Sequence, residues 1–340
     1  VDSIGSVSQF LAGATSCEEV RPSDARAGAV YLRVVIGGQR YFVKRASRSS
    51  DWIMRIAGDR VHRPFQVWHS GLMDRSAAVV DHAMVAMEVT GAGDGAVLSM
   101  LMRDVGTCLV PPGDAAVPAR QHAGFIAAMA ALSRRFWGWQ DRLGLMSMAE
   151  RLRMLAPDNI AGELTTEPVP GPVAAAAVGW KRLSERAPEL AAITRLVHEE
   201  PDMLVRPLNG TPRTFLQGDW KMGNLGVHPD GRVILLDWAF PGSGPPLWDL
   251  CWYLALNRAR LPESKERTVE RYRSELERQG VATGGWWQEQ LDLCMIGVMA
   301  TFGWEKALGD GDELSWWDRT VAAAAGRLGI RIPASGASVV

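Results

Sequence analysis

The chain of 340 residues carries 37 basic and 38 acidic side chains, a formal charge of -1, and 47% of it is apolar. That length and apolar content support two modest domains or two lobes around a cleft. The balanced charge excludes an electrostatically driven partnership with nucleic acid or an anionic membrane. Cys17, Cys108, Cys251 and Cys294 lie far apart with no CxxC pair, so neither a zinc site nor a disulfide framework is expected. A reduced, cytoplasmic setting fits that cysteine usage. No secretory pattern opens the chain, and no run of about 18 apolar residues is long enough for a membrane helix.

In chain order, residues 15–46 read as β-rich. "AVYLRVVIGG" and "QRYFVKRA" alternate apolar and polar residues around Gly37-Gly38, a hairpin signal. "CEEVRPSDARAG" before them reads as a strand followed by a loop of small residues. Residues 50–74 carry a mixed helical pattern, broken near Arg63-Pro64, and "AMVAMEV" (83–89) and "AVLSMLMRDV" (96–105) predict two further strands. After "VPPGD" (110–114) the texture becomes helical. Phe125, Met129, Leu132 and Phe136 recur at helical spacing, with Gly138 just beyond.

"TTEPVPGPV" (165–173) is a Pro-rich loop, residues 175–200 read as helix, and residues 215–240 as a loop and one hairpin. Everything afterwards reads as helix. Val269, Tyr272 and Leu276 share one face of a helix that stops at Gly280. "WWQEQLDLCMIGVMATFGWEKAL" is apolar nearly all round, which predicts a central helix. The order predicts an α+β chain of two lobes. Residues 1–104 form a small β-rich lobe, residues 105–330 a larger, mostly helical one, and residues 331–340 a loose tail. A cleft between such lobes is a natural ligand site.

The chemistry concentrates in "FLQGDWKMGNLGVHPDGRVILLDWAF", residues 215–240. Asp219 and Asn224 stand five apart, and Asp237 closes an apolar run that reads as a buried strand. An unpaired buried carboxylate is costly, and a metal ion is the simplest partner for both aspartates. Magnesium takes hard oxygen ligands of the kind Asn and Asp supply. Each residue alone is also an ordinary turn former; it is their combination that points to a site. The chain has only five lysines, Lys44, Lys181, Lys221, Lys265 and Lys306, so arginine supplies the generic positive charge. Two of the five fall at the places that matter here.

The segment "LQGDWKMGNLGV…GRVILLDWAFPGSGPPLWDLCWYLA" resembles the aminoglycoside phosphotransferase and choline kinase-like family, whose fold is that of protein kinases. Asp219, Asn224, Asp237 and Asp249 match its signature, over residues 215–256. The resemblance implies a kinase that transfers a phosphoryl group from ATP (or GTP), with Mg2+, to a hydroxyl of a small molecule. An aminoglycoside-like compound, a sugar and an amino alcohol all remain open as acceptors. It implies Asp219 as the catalytic base or hydroxyl-positioner and Asn224 and Asp237 as Mg2+ ligands. Asp249 would tie down the catalytic-loop backbone. Lys221 would stabilise the transferring phosphoryl, and Lys44 would hold the α- and β-phosphates.

Residues 101–105, with Met102 and Asp104, resemble the hinge whose backbone binds adenine. Three features depart from the pattern. Gln217 replaces the usual His in support of the loop. Trp238-Ala239 replaces Phe-Gly. No glutamate follows Lys44 where its ion-pair partner belongs; the acids between Lys44 and Glu88 are Asp51, Asp59, Asp74 and Asp81, of which Asp59 is the expected partner. The phosphate loop is poor in glycine, and Ser23 and Gly28 are its expected backbone contacts. These departures leave a nucleotide-binding pseudokinase, acting as sensor or scaffold, as the alternative. The short "WAFPGSGPP" after Asp237 lacks an activation-loop-like insertion and favours a small acceptor over a protein. Trp286, Trp287, Trp304, Trp316 and Trp317, with Glu289, Asp292, Glu305, Glu313 and Asp318, either line the acceptor pocket by stacking and cation–π contact or form ordinary helix core and solvated acids.

Overall fold

The computed structural model describes residues 6–21 and 27–331. Strands β1 (Ala14–Val20), β2 (Val30–Ile36) and β3 (Gln39–Ser47) come first, then the two-residue β4 (Val80–Asp81), β5 (Met84–Thr90) and β6 (Val97–Arg103). Five of them form one antiparallel sheet in the order β1-β2-β3-β6-β5. The alternation read in the sequence sets its two faces, since successive side chains point to opposite sides. Val34, Val43, Ala86 and Leu101 gather on one face with Val7 from the helix Val7–Ala12. The opposite face carries Tyr31, Arg33, Phe42, Lys44 and Met100. Register makes Tyr31 the cross-strand neighbour of Lys44 and places Met100 on its other side.

The helical pattern over 50–74 resolves into three short helices, Trp52–Ile56, Arg63–His69 and Leu72–Ser76. The break falls before Arg63 rather than at it. Pro64 sits in the first turn of its helix, where its missing N–H costs nothing.

From residue 119 the chain is mostly helical. Helix Trp287–Leu308 is buried on nearly every side and packs against Gly171–Arg186, Leu247–Leu256 and Gly311–Leu328. Gly179 permits the closest of these approaches: a Cβ there would lie 2.4 Å from Trp304 O. The expected hairpin is β8 (Leu225–Val227) and β9 (Val233–Leu235), after β7 (Thr214–Leu216). Three short strands were not expected: β4, β7 and one more. β10 (Gly242–Gly244) pairs with β7, and its glycines lack the side-chain alternation by which a strand is read. β4 pairs in parallel with β9 and ties the sheet region to the hairpin that ends in Asp237. No described helix is long and apolar enough to cross a membrane.

Candidate active site

The loop after β7 is fixed from behind by helix Leu247–Leu256. Both oxygens of Asp249, in its first turn, accept backbone N–H groups, from Gln217 (3.2 Å) and Gly218 (3.1 Å). Gly218 has φ +89, and a Cβ there would lie 2.1 Å from Phe240 O, so only glycine suits this crossing of two loops. Gln217 bridges the same two loops. Its amide nitrogen donates to Leu236 O (3.1 Å) and Asp237 O (2.7 Å), and its amide oxygen accepts from the Asp219 N–H (2.8 Å). A Gln thus occupies the expected His position with all its polar atoms engaged.

The Asp219 carboxylate meets three side chains. Trp252 Nε1 donates to Oδ1 (3.0 Å), while Asn224 Nδ2 (2.8 Å) and Lys221 Nζ (3.0 Å) approach Oδ2. Asn224 Nδ2 also donates to Asp219 O (3.0 Å). With both its N–H bonds turned to Asp219, Asn224 has its amide oxygen left to offer. Asp237 takes a left-handed backbone (φ 52), a conformation Asp tolerates better than most residues. Its Oδ1 lies 3.1 Å from Lys44 Nζ, which leaves the second oxygen. An amide oxygen and a carboxylate oxygen are the hard donors magnesium takes, so the donor set fits that ion. Among the described residues no group of three His, Cys, Asp or Glu forms a metal cluster.

The charges hold one another. Burial opposes the charge on Lys44, but Asp237, Tyr31 and Asp51 outweigh it and keep the ammonium above its ordinary range. Burial pushes Asp237 up, and Lys44 and Lys221 more than reverse it, leaving that carboxyl below its usual value. Asp219 raises Lys221 against its burial. Asp249 is different: burial dominates and pushes it up to about 6, despite Arg151 and the two backbone N–H groups.

Two cavities of about 470 Å³ each meet here. The first lies under the sheet, against Phe42, Met84, Met87, Met102, Asp104 and Leu109. The second reaches Asp219, Trp252 and Phe302. Lys44, Lys221 and Asp237 border both. Met102 and Asp104, expected as hinge residues, thus border the first cavity. The Asp104 N–H is taken by Arg40 O (3.3 Å), and its carboxylate accepts the Gly106 N–H (3.2 Å) beside Arg33 and Arg40.

Two expected positions are corrected. Asp59 does not pair with Lys44. Its carboxylate accepts the N–H groups of Val61 (3.2 Å) and Arg63 (3.1 Å) and so holds the start of helix Arg63–His69. The helix after Lys44 ends at Ile56, and the acid whose charge reaches Lys44 from this segment is its N-cap, Asp51. Gly28 borders neither cavity of the cleft. It has φ +101 and lies against Ser50, where a Cβ would be 2.1 Å from the carbonyl oxygen, so glycine serves close packing there. Ser23 lies outside the described residues.

The late tryptophans also lie away from both cavities. Trp316 sits under Lys265 and donates to Glu266 (2.7 Å), Trp317 donates to Glu313 (2.8 Å), and Asp292 pairs with Arg327 (2.6 Å). Of the two readings open in the sequence, helix packing is the one the geometry has.

Sequence reasoning missed Trp252, Asn257 and Arg151. Asn257 accepts the Met222 N–H (2.7 Å) and donates to Trp220 O (3.2 Å), holding the far end of the loop after β7. Trp252 and Asn257 fall three and eight residues after Asp249, close to one helix face, and that spacing was a readable signal. Arg151 is fully buried behind the loop, donates to Phe240 O (2.5 Å), and is lowered to about 10 by burial that Asp249 partly offsets. Nothing local distinguishes it from the arginines around it.

Comparison with known proteins agrees with this geometry. The profile of the phosphotransferase enzyme family (APH) matches residues 25–282, and the chain belongs to that family. Among solved structures, a microcompartment-associated aminopropanol kinase is 13% identical, with 95% of this chain and 98% of that one covered at a TM-score of 0.51. LicA in complex with AMP is 12% identical, with 92% of each chain covered at 0.50. The choline kinase LicA from Streptococcus pneumoniae gives 12%, 94%, 95% and 0.49. At such identities the first two likenesses concern the fold, which is that of kinase-like phosphotransferases. A search of curated protein sequences finds no match.

Proposed function

We propose that this chain is a kinase transferring the γ-phosphoryl group of ATP (or GTP) to a hydroxyl of a small molecule, with magnesium. The observation that carries this reading is the junction of the two cavities. Lys44, Lys221 and Asp237 border both, and Asp219 stands on the second, so a nucleotide in one and an alcohol in the other would meet at these four side chains.

In this reading Asp219 aligns the acceptor hydroxyl and receives its proton as the oxygen bonds to the γ-phosphorus. The bond from phosphorus to the β-phosphate oxygen breaks, and the nucleoside diphosphate leaves. Lys44 exchanges part of its hold on Asp237 for the α- and β-phosphates. Lys221, already 3.0 Å from Asp219, lies beside the moving phosphoryl group. Asn224 and Asp237 would hold magnesium, which offsets phosphate charge when bound. Catalysis is then chiefly positioning and electrostatics. Gln217 and Asp249 act through the backbone, fixing where Asp219 and Asp237 stand. Met102 and Asp104 would border the nucleotide base and ribose. The domains divide near residue 104, where the sheet ends.

The test is equilibrium ATP binding with and without magnesium, in the wild type and in Asp237→Ala, followed by nucleoside diphosphate release over a panel of hydroxyl compounds. Magnesium-dependent binding weakened at least about tenfold by Asp237→Ala is expected. Binding indifferent to both magnesium and Asp237 would remove the reading. Magnesium-dependent binding without turnover on any acceptor would favour the pseudokinase.

A further inference from the structure

The second cavity says what kind of alcohol would suit it, an inference that rests on the phosphotransfer reading above. Beyond the reacting groups its wall is hydrocarbon: Trp52, Met154, Leu155, Phe240, Trp252 and Phe302 surround the approach to Asp219, with Leu256 and Pro172 beside them. Among the described residues lining it, the polar side chains are Tyr31, Lys44, Lys221 and four aspartates, with no glutamate, amide, imidazole or aliphatic hydroxyl. Each of the four carboxylates already has a protein partner. Asp237 faces Lys44, and Asp219 faces Lys221, Asn224 and Trp252. Asp51 accepts the Met54 N–H, and Asp59 those of Val61 and Arg63.

A polyammonium sugar desolvates several charges on entering and needs a carboxylate for each. Among the described residues lining this wall, every carboxylate already serves a lysine or a backbone N–H. The acids of the late helices cannot help, since Asp292 pairs with Arg327 and Glu313 with Lys265, away from the cavity. A quaternary ammonium needs open ring faces around it. Here Trp252 is packed edge-to-face with Phe302, with centroids 4.6 Å apart at 77°, and its indole N–H is given to Asp219. What such a wall rewards is apolar surface removed from water. A volume of about 470 Å³ admits a drug-sized body.

We propose that the acceptor is an alcohol on a hydrophobic, largely uncharged body, seated against Trp252, Phe302 and Leu256 with its hydroxyl at Asp219.

The experiment measures binding of β-estradiol, farnesol, chloramphenicol, kanamycin and choline to the full chain holding magnesium and a non-hydrolysable ATP analogue. Diphosphate release with ATP is followed in parallel. At least one of the three hydrophobic alcohols is expected to bind at least tenfold more tightly than kanamycin or choline. Leu256→Glu should weaken that binding at least tenfold while leaving nucleotide affinity unchanged. Should Leu256→Glu fail to fold, Pro172→Glu, in the first turn of a different helix, makes the same test. Tighter binding of kanamycin or choline, no binding of any hydrophobic alcohol, or indifference to both substitutions would each overturn the inference. Absence of magnesium-dependent nucleotide binding would instead strike the phosphotransfer reading, so the two failures are told apart.

Discussion

On the helical side of the cleft, the backbone and side chain of nearly every residue proposed to react are held by buried partners. Asp249, Gln217 and Asn257 bind loop backbone at both ends of the stretch 217–222, and Trp252 and Asn224 fix the Asp219 carboxylate. On the sheet side, Lys44 stands on a strand with one ion-pair partner, Asp237, which belongs to the other side. The difference separates two tasks. A group that must meet an attacking oxygen within a few tenths of an ångström needs an over-determined mount. A group that holds phosphates by charge can rest on a partner it later exchanges.

That contrast can be broken experimentally, and the largest expected effect is on chemistry. Asp219→Asn should lower kcat by about 10³-fold with nucleotide affinity nearly unchanged. A fall confined to nucleotide affinity would place Asp219 on the wrong side of the division.

The next effect is on stability. Gln217→Ala leaves the Leu236 and Asp237 carbonyls and the Asp219 N–H without their side-chain partner. A cost of about 3 kcal/mol is expected, since buried polar groups left unpaired cost about 1–3 kcal/mol each. Lys44→Met, on the sheet side, leaves Asp237 without its ion-pair partner, but that carboxylate is partly exposed and still faces Lys221, so the cost should be about 1 kcal/mol, less than for Gln217→Ala. It should weaken ATP binding all the same. Denaturant titration of the two variants checks this, and equal losses would erase the distinction between the two faces.

The last effect is a pH dependence specific to the helical side. Asp249 sits at about 6 in the folded protein, against about 3.9 for a free aspartate. Between those values the folded chain keeps a proton that the unfolded chain has released. The contribution therefore favours folding fully below about pH 4 and is lost as pH rises through about 6, by about 3 kcal/mol. Asp249→Asn should lack this component. Melting curves of wild type and variant from pH 4 to 7 should converge or diverge accordingly, and parallel curves would show that Asp249 does not titrate there.

Much of the site was legible because it is local. Asp219 and Asn224 are five residues apart in one loop, and β8 and β9 return the chain so that Asp237 arrives beside them. The alternation of β3 placed Lys44 opposite Val43, toward the cleft. Asp59 and Gly28 were misread for the opposite reason. Both lie in segments where small polar residues serve backbone turns, and nothing in the sequence says whether a carboxylate faces a neighbouring N–H or a distant lysine. β10 escaped notice because three residues of Gly-Ser-Gly carry no side-chain pattern, and its pairing with β7 is a matter of backbone alone.

The sequence by itself determined the β-rich first third, the helical remainder and the segment 215–256 that carries the family resemblance. Those follow from periodicity and from a motif confined to some forty residues. Only the tertiary structure decided that Lys44 rests on Asp237, 193 residues away, and that Trp252 rather than the late tryptophans meets Asp219. It also decided which lysines and backbone N–H groups the carboxylates of the second cavity face. Ion pairs and cavity walls depend on which distant side chains burial forces together, and no local pattern encodes that choice.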